Sequence, residues 1–353
     1  MHRMCVILWT GLLFWLGALW LNALSINPNW VQDYDYHTPE NAISAVTVGM
    51  GGLNLTNAGD YFGFHDNPAL LQAFNGSAAA TSFIVKSGEP LTFSELLSAR
   101  SLLKDKQFLY FSVITKKSGW SYQPVANVHI STWDASHTNS EYFDYQLDKL
   151  QLSVAASDEN YSSLAGGLNI KYLTGRLVYL KERLQGSNLI RESFIDDKVK
   201  GLSSDLGFTW TEGQYVWGAT FYDYLSRMWW ENYDSKSLKR RASFGFQYNM
   251  DNLALLAALQ GRISSDPGTT YHFGLIKNWS WKTGNSTEGN QAEQNLLIRM
   301  GLYSKNFDGT KNINYTFGSG YNYNLFRVDF SLTNSGMQLK ESQYLFTVGA
   351  GIQ

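Results

Sequence analysis

The segment "VGMGGLNLTNAGDYFGFHDNPALLQ", Val48 to Gln72, concentrates glycine and asparagine and closes on Asn67-Pro68-Ala69-Leu70. Gly49, Gly51 and Gly52 permit tight turns and close approach to a neighbouring surface, and Pro68 stiffens the chain as it leaves the segment. From Ala78 to the end at Gln353 the pattern changes to alternating apolar and polar residues. A turn-rich stretch followed by a long alternating region reads as a plug and the barrel that it fills.

The alternation is explicit in "GLSSDLGFTW", where Leu202, Leu206, Phe208 and Trp210 oppose Ser203, Asp205, Gly207 and Thr209 with a period of two. Leu164, Leu168, Ile170 and Tyr172 likewise oppose Asn169 and Lys171, while Leu296, Ile298, Met300 and Leu302 oppose Arg299. Phe326, Val328, Phe330 and Leu332 oppose Arg327 and Asp329, and Tyr344, Phe346, Val348, Ala350 and Ile352 share the last face. The spacing predicts strands near 78–86, 107–116, 124–133, 145–156, 163–174, 201–211, 214–224, 240–250, 252–263, 269–281, 294–305, 312–319, 324–333 and 342–352. Fourteen is an even number, and most of these segments have the length of a tilted bilayer-crossing strand.

Outer-membrane barrels carry long loops outside and short turns on the periplasmic side. Ser87 to Lys106, Gly175 to Lys200 and Leu225 to Lys239 are expected as long outer loops, and Glu212-Gly213, Asp251 and Gly320 to Tyr323 as short turns. Ser264 to Gly268 and Lys282 to Glu293 run against this alternation, as a miscounted strand pair would make them do. Thr92 to Lys104 opens with a Thr92-x-x-Glu95 capping box and reads as a loop helix. Leu177, Leu180 and Leu184 have helical spacing, although Tyr172 to Lys181 reads equally well as a strand extending past the rim.

Composition agrees with a membrane barrel: aromatics make up 15% of the 353 residues, with 21 Tyr, 20 Phe and 12 Trp. A net charge of -2 without a basic stripe excludes nucleic-acid binding. "MHRMCVILWTGLLFWLGALWLNALS" has a positive start at Arg3, an apolar run from Cys5 to Leu21 and a small-x-small pattern at Ala23-Leu24-Ser25. Residues 1–25 are therefore expected as a signal peptide, with an uncleaved anchor as the alternative. Cys5 is the only cysteine, so a processed chain would hold no thiol for disulfides, zinc or catalysis.

Met50-Gly51-Gly52, then Asp60, then Asn67-Pro68-Ala69-Leu70, placed between a signal peptide and the first strand, resembles the FadL family of outer-membrane transporters for long-chain fatty acids and other hydrophobic compounds, in its short spirochaete-like branch. "GLNIKYL", "SSDLGFTW", "LLIRMGLY" and the closing "LFTVGAGIQ" are similar to later strands of that group. The resemblance implies a hatch at 26–77 inside a fourteen-strand barrel at 78–353, with substrate leaving sideways through a gap in the wall. Related barrels of the PorV type, which serve as shuttles for secreted proteins, share the plug signature.

A Lys or Arg on the lipid face near mid-bilayer costs ~2–4 kcal/mol, so Lys171, Arg262, Arg299 and Arg327 are expected to point inward, with Asp205 and Asp329 as partners. They either bind a substrate carboxylate or form ion pairs that fix plug and wall. Trp210, Trp217, Trp279 and Trp281 are expected in interfacial girdles, and Trp229-Trp230, in an outer loop, as the ligand-capturing pair. Asn67-Pro68-Ala69 reads either as a capped turn or as a gate. His37, His65, His129, His137 and His272 lack metal-ligand spacing, no nucleophile elbow is present, and neither an enzyme nor a cofactor is expected.

Together these features predict a monomeric outer-membrane barrel with an N-terminal plug, taking up hydrophobic or amphipathic molecules such as fatty acids from its surroundings of outer-membrane lipid. A PorV-like shuttle and an open general porin are the alternatives.

Overall fold

The computed structural model describes residues 43–85, 106–134, 136–157, 163–263, 268–283, 292–305, 312–334 and 342–352. The expected signal peptide, residues 26–42 of the expected plug and the expected helix from Thr92 to Lys104 lie outside the described residues.

Fourteen antiparallel strands form one closed sheet in chain order. They are β1 (Ser77–Val85), β2 (Lys106–Thr115), β3 (Ser118–Trp133), β4 (Asn139–Ser157), β5 (Leu164–Gln185), β6 (Asn188–Glu212) and β7 (Tyr215–Trp230), followed by β8 (Arg241–Met250), β9 (Leu253–Arg262), β10 (Thr269–Thr283), β11 (Ala292–Lys305), β12 (Asn312–Tyr323), β13 (Phe326–Asn334) and β14 (Gln343–Ile352). The last strand closes on the first, from Ser77↔Ile352 to Val85↔Tyr344. Closure matters because an unpaired backbone group in hydrocarbon costs several kcal/mol.

The two faces of each strand divide as the alternation predicts. Leu152, Val154, Ile170, Phe208 and Met300 point outward and are exposed, whereas Gln151, Ser153, Asn169 and Asp205 point inward and are buried. An apolar exterior around a polar interior is the arrangement that a bilayer selects. Trp210, Trp279 and Trp281 stand on the outer face near the end at which β1 begins, here the entry end. Trp217 joins them half-buried, its ring 4.4 Å from that of Phe246.

Three expectations about connections are corrected. Gly175 to Lys200 is not a loop: β5 and β6 continue as a paired hairpin to Gln185↔Asn188, with Gly186 at φ 65° making the turn. Leu225 to Lys239 is strand as far as Trp230. Gly320 to Tyr323 belongs to β12, and the turn falls at Asn324, whose φ is 50°. Gly320 is glycine for another reason: a Cβ there would lie 2.2 Å from Asp329 Oδ1. The connections at 263–268 and 284–291 remain short and long against the pattern without any miscounted strands, because strand order follows chain order throughout.

The residues before β1 pack against the inward face of the sheet. Helix α1 (Ala45–Gly49) is buried throughout and starts at Ser44, whose hydroxyl accepts from Val46 N–H at 3.1 Å and Thr47 N–H at 3.4 Å. Helix α2 (Gly63–Asp66) follows, then a 3-10 turn (Pro68–Ala73) capped by the Asn67 side chain, which accepts from Ala69 N–H. Val46 and Met50 pack with Leu256 and Ile276, while Ala45 and Val48 pack with Ile84 and Leu345.

Wall glycines set how closely this segment seats. A Cβ at Gly167 would lie 2.4 Å from the Pro68 carbonyl carbon, at Gly207 2.2 Å from Asn67 Oδ1, and at Gly218 2.2 Å from Leu55 O. On the other side of the barrel, a Cβ at Gly274 would lie 2.4 Å from Met50 O and one at Gly301 2.4 Å from Gly51 N. At Gly167, Gly218, Gly274 and Gly301 backbone meets backbone, and at Gly207 the Asn67 and Pro68 side chains meet the wall, so that no wall side chain fits at any of them.

Two predictions follow from the alternation and the wall. Gly167→Ala should lower stability by about 1–3 kcal/mol or more, while Gly166→Ala, whose Cβ would meet only ordinary contacts beside Phe208 at 3.9 Å, should be neutral; the midpoint of heat-modifiable gel mobility reads both. Leu152→Arg should cost roughly 2–4 kcal/mol, and Gln151→Arg should not show that lipid-face penalty, as measured by urea titration in vesicles.

Candidate functional site

Inward-facing charges gather in two knots. In the first, Lys171 Nζ lies 2.6 Å from Asp205 Oδ1 and 3.1 Å from Asp223 Oδ1, all three being buried. Ser203 donates to Asp223 at 2.6 Å, Asn169 donates to Asp205 at 3.1 Å, and Arg241 approaches Asp223 at 3.8 Å. Asp223 stands at φ 53° where β6 and β7 slip register, which is how its carboxylate comes to face inward beside Tyr222.

In the second knot, Asp329 is shared by Arg299 at 2.8 Å and Arg327 at 2.6 Å. Arg327 also donates to Gly59 O, joining this knot to the segment before β1. Asp60 sits in that segment with Thr47, Asn54 and the Phe62 N–H donating to its carboxylate. Burial raises its pKa, with Arg327 opposing the shift. Of the four cations singled out in the sequence, Lys171, Arg299 and Arg327 thus have the expected partners, Asp205 and Asp329. These contacts favour the ion-pair reading over ligand contact. Arg262 is half-buried opposite Arg241 on the β8–β9 ladder, apart from Asp205 and Asp329.

Asn67 joins segment and wall: its amide donates to Leu55 O at 2.8 Å and to Phe208 O at 3.0 Å. Gly51 O receives a hydrogen bond from His272 Nδ1 at 2.7 Å, and Gly52 adopts φ 82° beside Tyr303. Pro68, Ala69 and Leu70 are buried in the 3-10 turn.

Toward the far end of the barrel, here the rim, the pattern inverts without changing parity. On β4 the inward residues pass from Ser153, Gln151 and Lys149 to Leu147, Tyr145 and Phe143, while the outward ones pass from Val154, Leu152 and Leu150 to Asp148, Gln146 and Asp144. On β5 the inward Lys171 gives way to Leu173 and Leu177, and on β6 Asp205 and Ser203 give way to Val199. With Val125, Met228 and Tyr233, these residues form one apolar cluster on the inner face. The loop at 231–240 is tied over it, because buried Asp197 accepts from Glu231 N–H, Asn232 N–H and the Asn232 side chain at 3.1–3.2 Å.

The tryptophan pair separates here. Both residues lie on β7 rather than in a loop, so they point to opposite faces. Trp230 faces inward, 6.4 Å from Tyr145 and 6.2 Å from Tyr233 between ring centroids, and packs on the apolar cluster. Trp229 is 37% exposed on the outer face, opposite Lys200.

Two features escaped the sequence reading. Lys149 is buried with its Nζ 3.0 Å from His65 Nε2, and it forms no ion pair among the described residues. Burial pushes the His65 pKa well down and that of Asp66 well up, and the two side chains lie 3.0 Å apart. The second feature is a break in the wall among the described residues. The β2–β3 ladder spans only Phe111↔Tyr122 to Thr115↔Ser118; beyond it β2 pairs with β1 and β3 with β4. Pro124 lacks an N–H and Val125 forms a bulge, so β3 turns away where the apolar cluster begins. Pro124 inside an alternating run was the available signal.

No model of a known protein family matches the sequence, nor does any curated protein. Among solved structures, the toluene transporter TbuX of Ralstonia pickettii is similar with a TM-score of 0.54 at 10% identity, over 89% of this chain and 98% of that one. The toluene transporter TodX of P. putida matches with a TM-score of 0.51 at 12% identity, over 88% of this chain and 98% of that one. The monoaromatic hydrocarbon channel CymD gives 0.50 at 10% identity, over 89% and 98%. At such identities the likeness is one of fold, and it extends over nearly the whole of each of those chains. In fold, the chain is a closed fourteen-strand antiparallel barrel similar to those of these three proteins.

Proposed function

We propose that this protein is an outer-membrane channel for passive uptake of hydrophobic or amphipathic small molecules, long-chain fatty acids among them, with residues 26–77 as its plug. The observation that carries the reading is the apolar inner cluster lying directly beside the break between β2 and β3. A hydrophobic ligand needs an apolar surface to leave water and a route into the membrane; it needs no chemistry. The three similar structures are of transporters and channels for toluene and monoaromatic hydrocarbons, which supports the same class of cargo here.

In this reading the ligand meets Trp230, Tyr145 and Tyr233 at the rim, moves along the apolar cluster and leaves sideways past Val125. The packing of Met50, Gly51, Gly52 and Asn67 to Leu70 against the wall supports a sealed lumen rather than an open pore. An amphipathic ligand would set its acidic head against Lys149, taking the place of His65, while Lys171, Arg299 and Arg327 keep their carboxylates. Loss of the Lys149–His65 contact would loosen α2 from the wall and so couple binding to plug movement.

Uptake by cells or vesicles of a labelled fatty acid and of a neutral hydrocarbon of equal length tests this. Trp230→Ser should depress uptake of both, and Trp229→Ser should leave it near normal; equal effects would remove the inner cluster from the route. Deleting Val125, which takes out the bulge, should abolish uptake from a barrel that still migrates as folded. Lys149→Met should reduce fatty-acid uptake by about tenfold, the scale of one charge-assisted hydrogen bond, and spare the hydrocarbon. A wild-type protein that ignores both ligands and co-purifies with a secreted protein would overturn the transport reading in favour of a shuttle.

A further inference from the structure

The outer face carries a feature that transport does not use. At the rim side of the apolar belt, adjacent strands turn from exposed Leu202, Leu225 and Phe244 to exposed cations: Lys200 and Lys198 on β6, Arg227 on β7, and Arg240 just before β8. Register places Lys200 opposite Trp229 and Leu202 opposite Arg227, so Lys200 and Arg227 are diagonal neighbours, typically ~7–8 Å apart at Cα. Arg240 lies over the ring of Tyr224 at 5.9 Å, and Arg227 donates to Ser235.

This concentration of positive charge is only partly neutralised from within. Asp196, the nearest acidic residue on the outer face of β6, lies in the field of Lys198 but is held by Arg176 through hydrogen bonds of 2.7 and 2.6 Å. Among the described residues Lys198, Lys200, Arg227 and Arg240 form no ion pair, and neither do Glu231 and Asp234 of the neighbouring loop. Like charges on neighbouring strands are destabilising unless an anion bridges them. The belt edge below them and the exposed rings of Trp229 and Tyr224 beside them suit an anion that carries hydrocarbon.

We infer that this patch is a binding site for an anionic, phosphate-bearing lipid headgroup of the leaflet at the rim end. The phosphates lie across Lys198, Lys200, Arg227 and Arg240, and the acyl chains run down over Leu202, Leu225 and Phe244. The inference rests on the membrane reading of the outer face but is independent of what the lumen carries. Basic residues beside an anionic leaflet each strengthen attachment severalfold, and several together give a selective site.

The test is native mass spectrometry of the full barrel in mild nonionic detergent, titrated separately with bisphosphorylated lipid A, phosphatidylcholine and inorganic phosphate. The expected result is a lipid A adduct retained at least about tenfold more strongly than the phosphatidylcholine adduct, with none from inorganic phosphate. The combined Lys198→Gln, Lys200→Gln, Arg227→Gln and Arg240→Gln variant should lose that preference while keeping wild-type uptake. Equal retention of the two lipids, an unchanged lipid A adduct in the variant, or a free-phosphate adduct of equal strength would overturn the site. If the fourfold variant does not migrate as folded, Lys200→Gln with Arg227→Gln provides the same reading. A wild-type protein that retains lipid A yet takes up no hydrophobic ligand would sink the transport proposal and leave this one standing.

Discussion

Hydrocarbon offers a peptide group nothing to bond with, and that constraint organises the whole molecule. It forces β1 onto β14, because a sheet with free edges could not stand in a bilayer. It also makes the break between β2 and β3 informative, since unpaired ladder positions persist only where something covers them or where access has a use. Pro124 removes a donor that would otherwise be unpaired there, and Val125 at the bulge stays buried in the inner apolar cluster. The same constraint sends charge to the interior, where Asp205, Asp223 and Asp329 meet Lys171, Arg241, Arg299 and Arg327.

These interior pairs say more about position than about stability. A buried pair gains little over well-packed apolar residues, but losing one partner leaves a buried charge exposed to no solvent, at a cost of about 3–5 kcal/mol. Asp329 serves two arginines, one of which reaches Gly59, so the wall and the N-terminal segment share one electrostatic arrangement. The Asn67 amide does the same by hydrogen bonding on the opposite side of the barrel. The segment is therefore held at separated points in one orientation.

Much of the fold is legible in the sequence, since a period of two with apolar residues facing lipid is a direct imprint of the bilayer. The strand count and the pairing of Lys171 with Asp205 and of Arg299 and Arg327 with Asp329 follow from it. The rim is less legible for a physical reason. Beyond Leu150, Tyr172 and Leu202 the outer face turns polar, and the apolar residues of β4, β5 and β6 move to the inner face while parity is kept. A pattern tuned to one inside-out sense sees a loop where the strand continues, and Trp229 and Trp230 were read as a loop pair for the same reason. Gly320 resembles a turn residue because its true partners, the Arg299–Asp329 pair, are not its neighbours along the strand. Lys149 gave no local sign, since its neighbour His65 comes from a different part of the chain.

The seating of the first segment against wall glycines bears on the order of assembly. Residues 43–76 are made before any strand, while the ladder that completes the cylinder joins the earliest strand to the final one, Ser77 to Ile352. Contacts as close as those at Gly207 and Gly218 leave the wall and the segment little freedom to shift past one another once seated. A sheet that curls around its own leader, like a mould around a casting, reaches this fit without forcing one finished part into another.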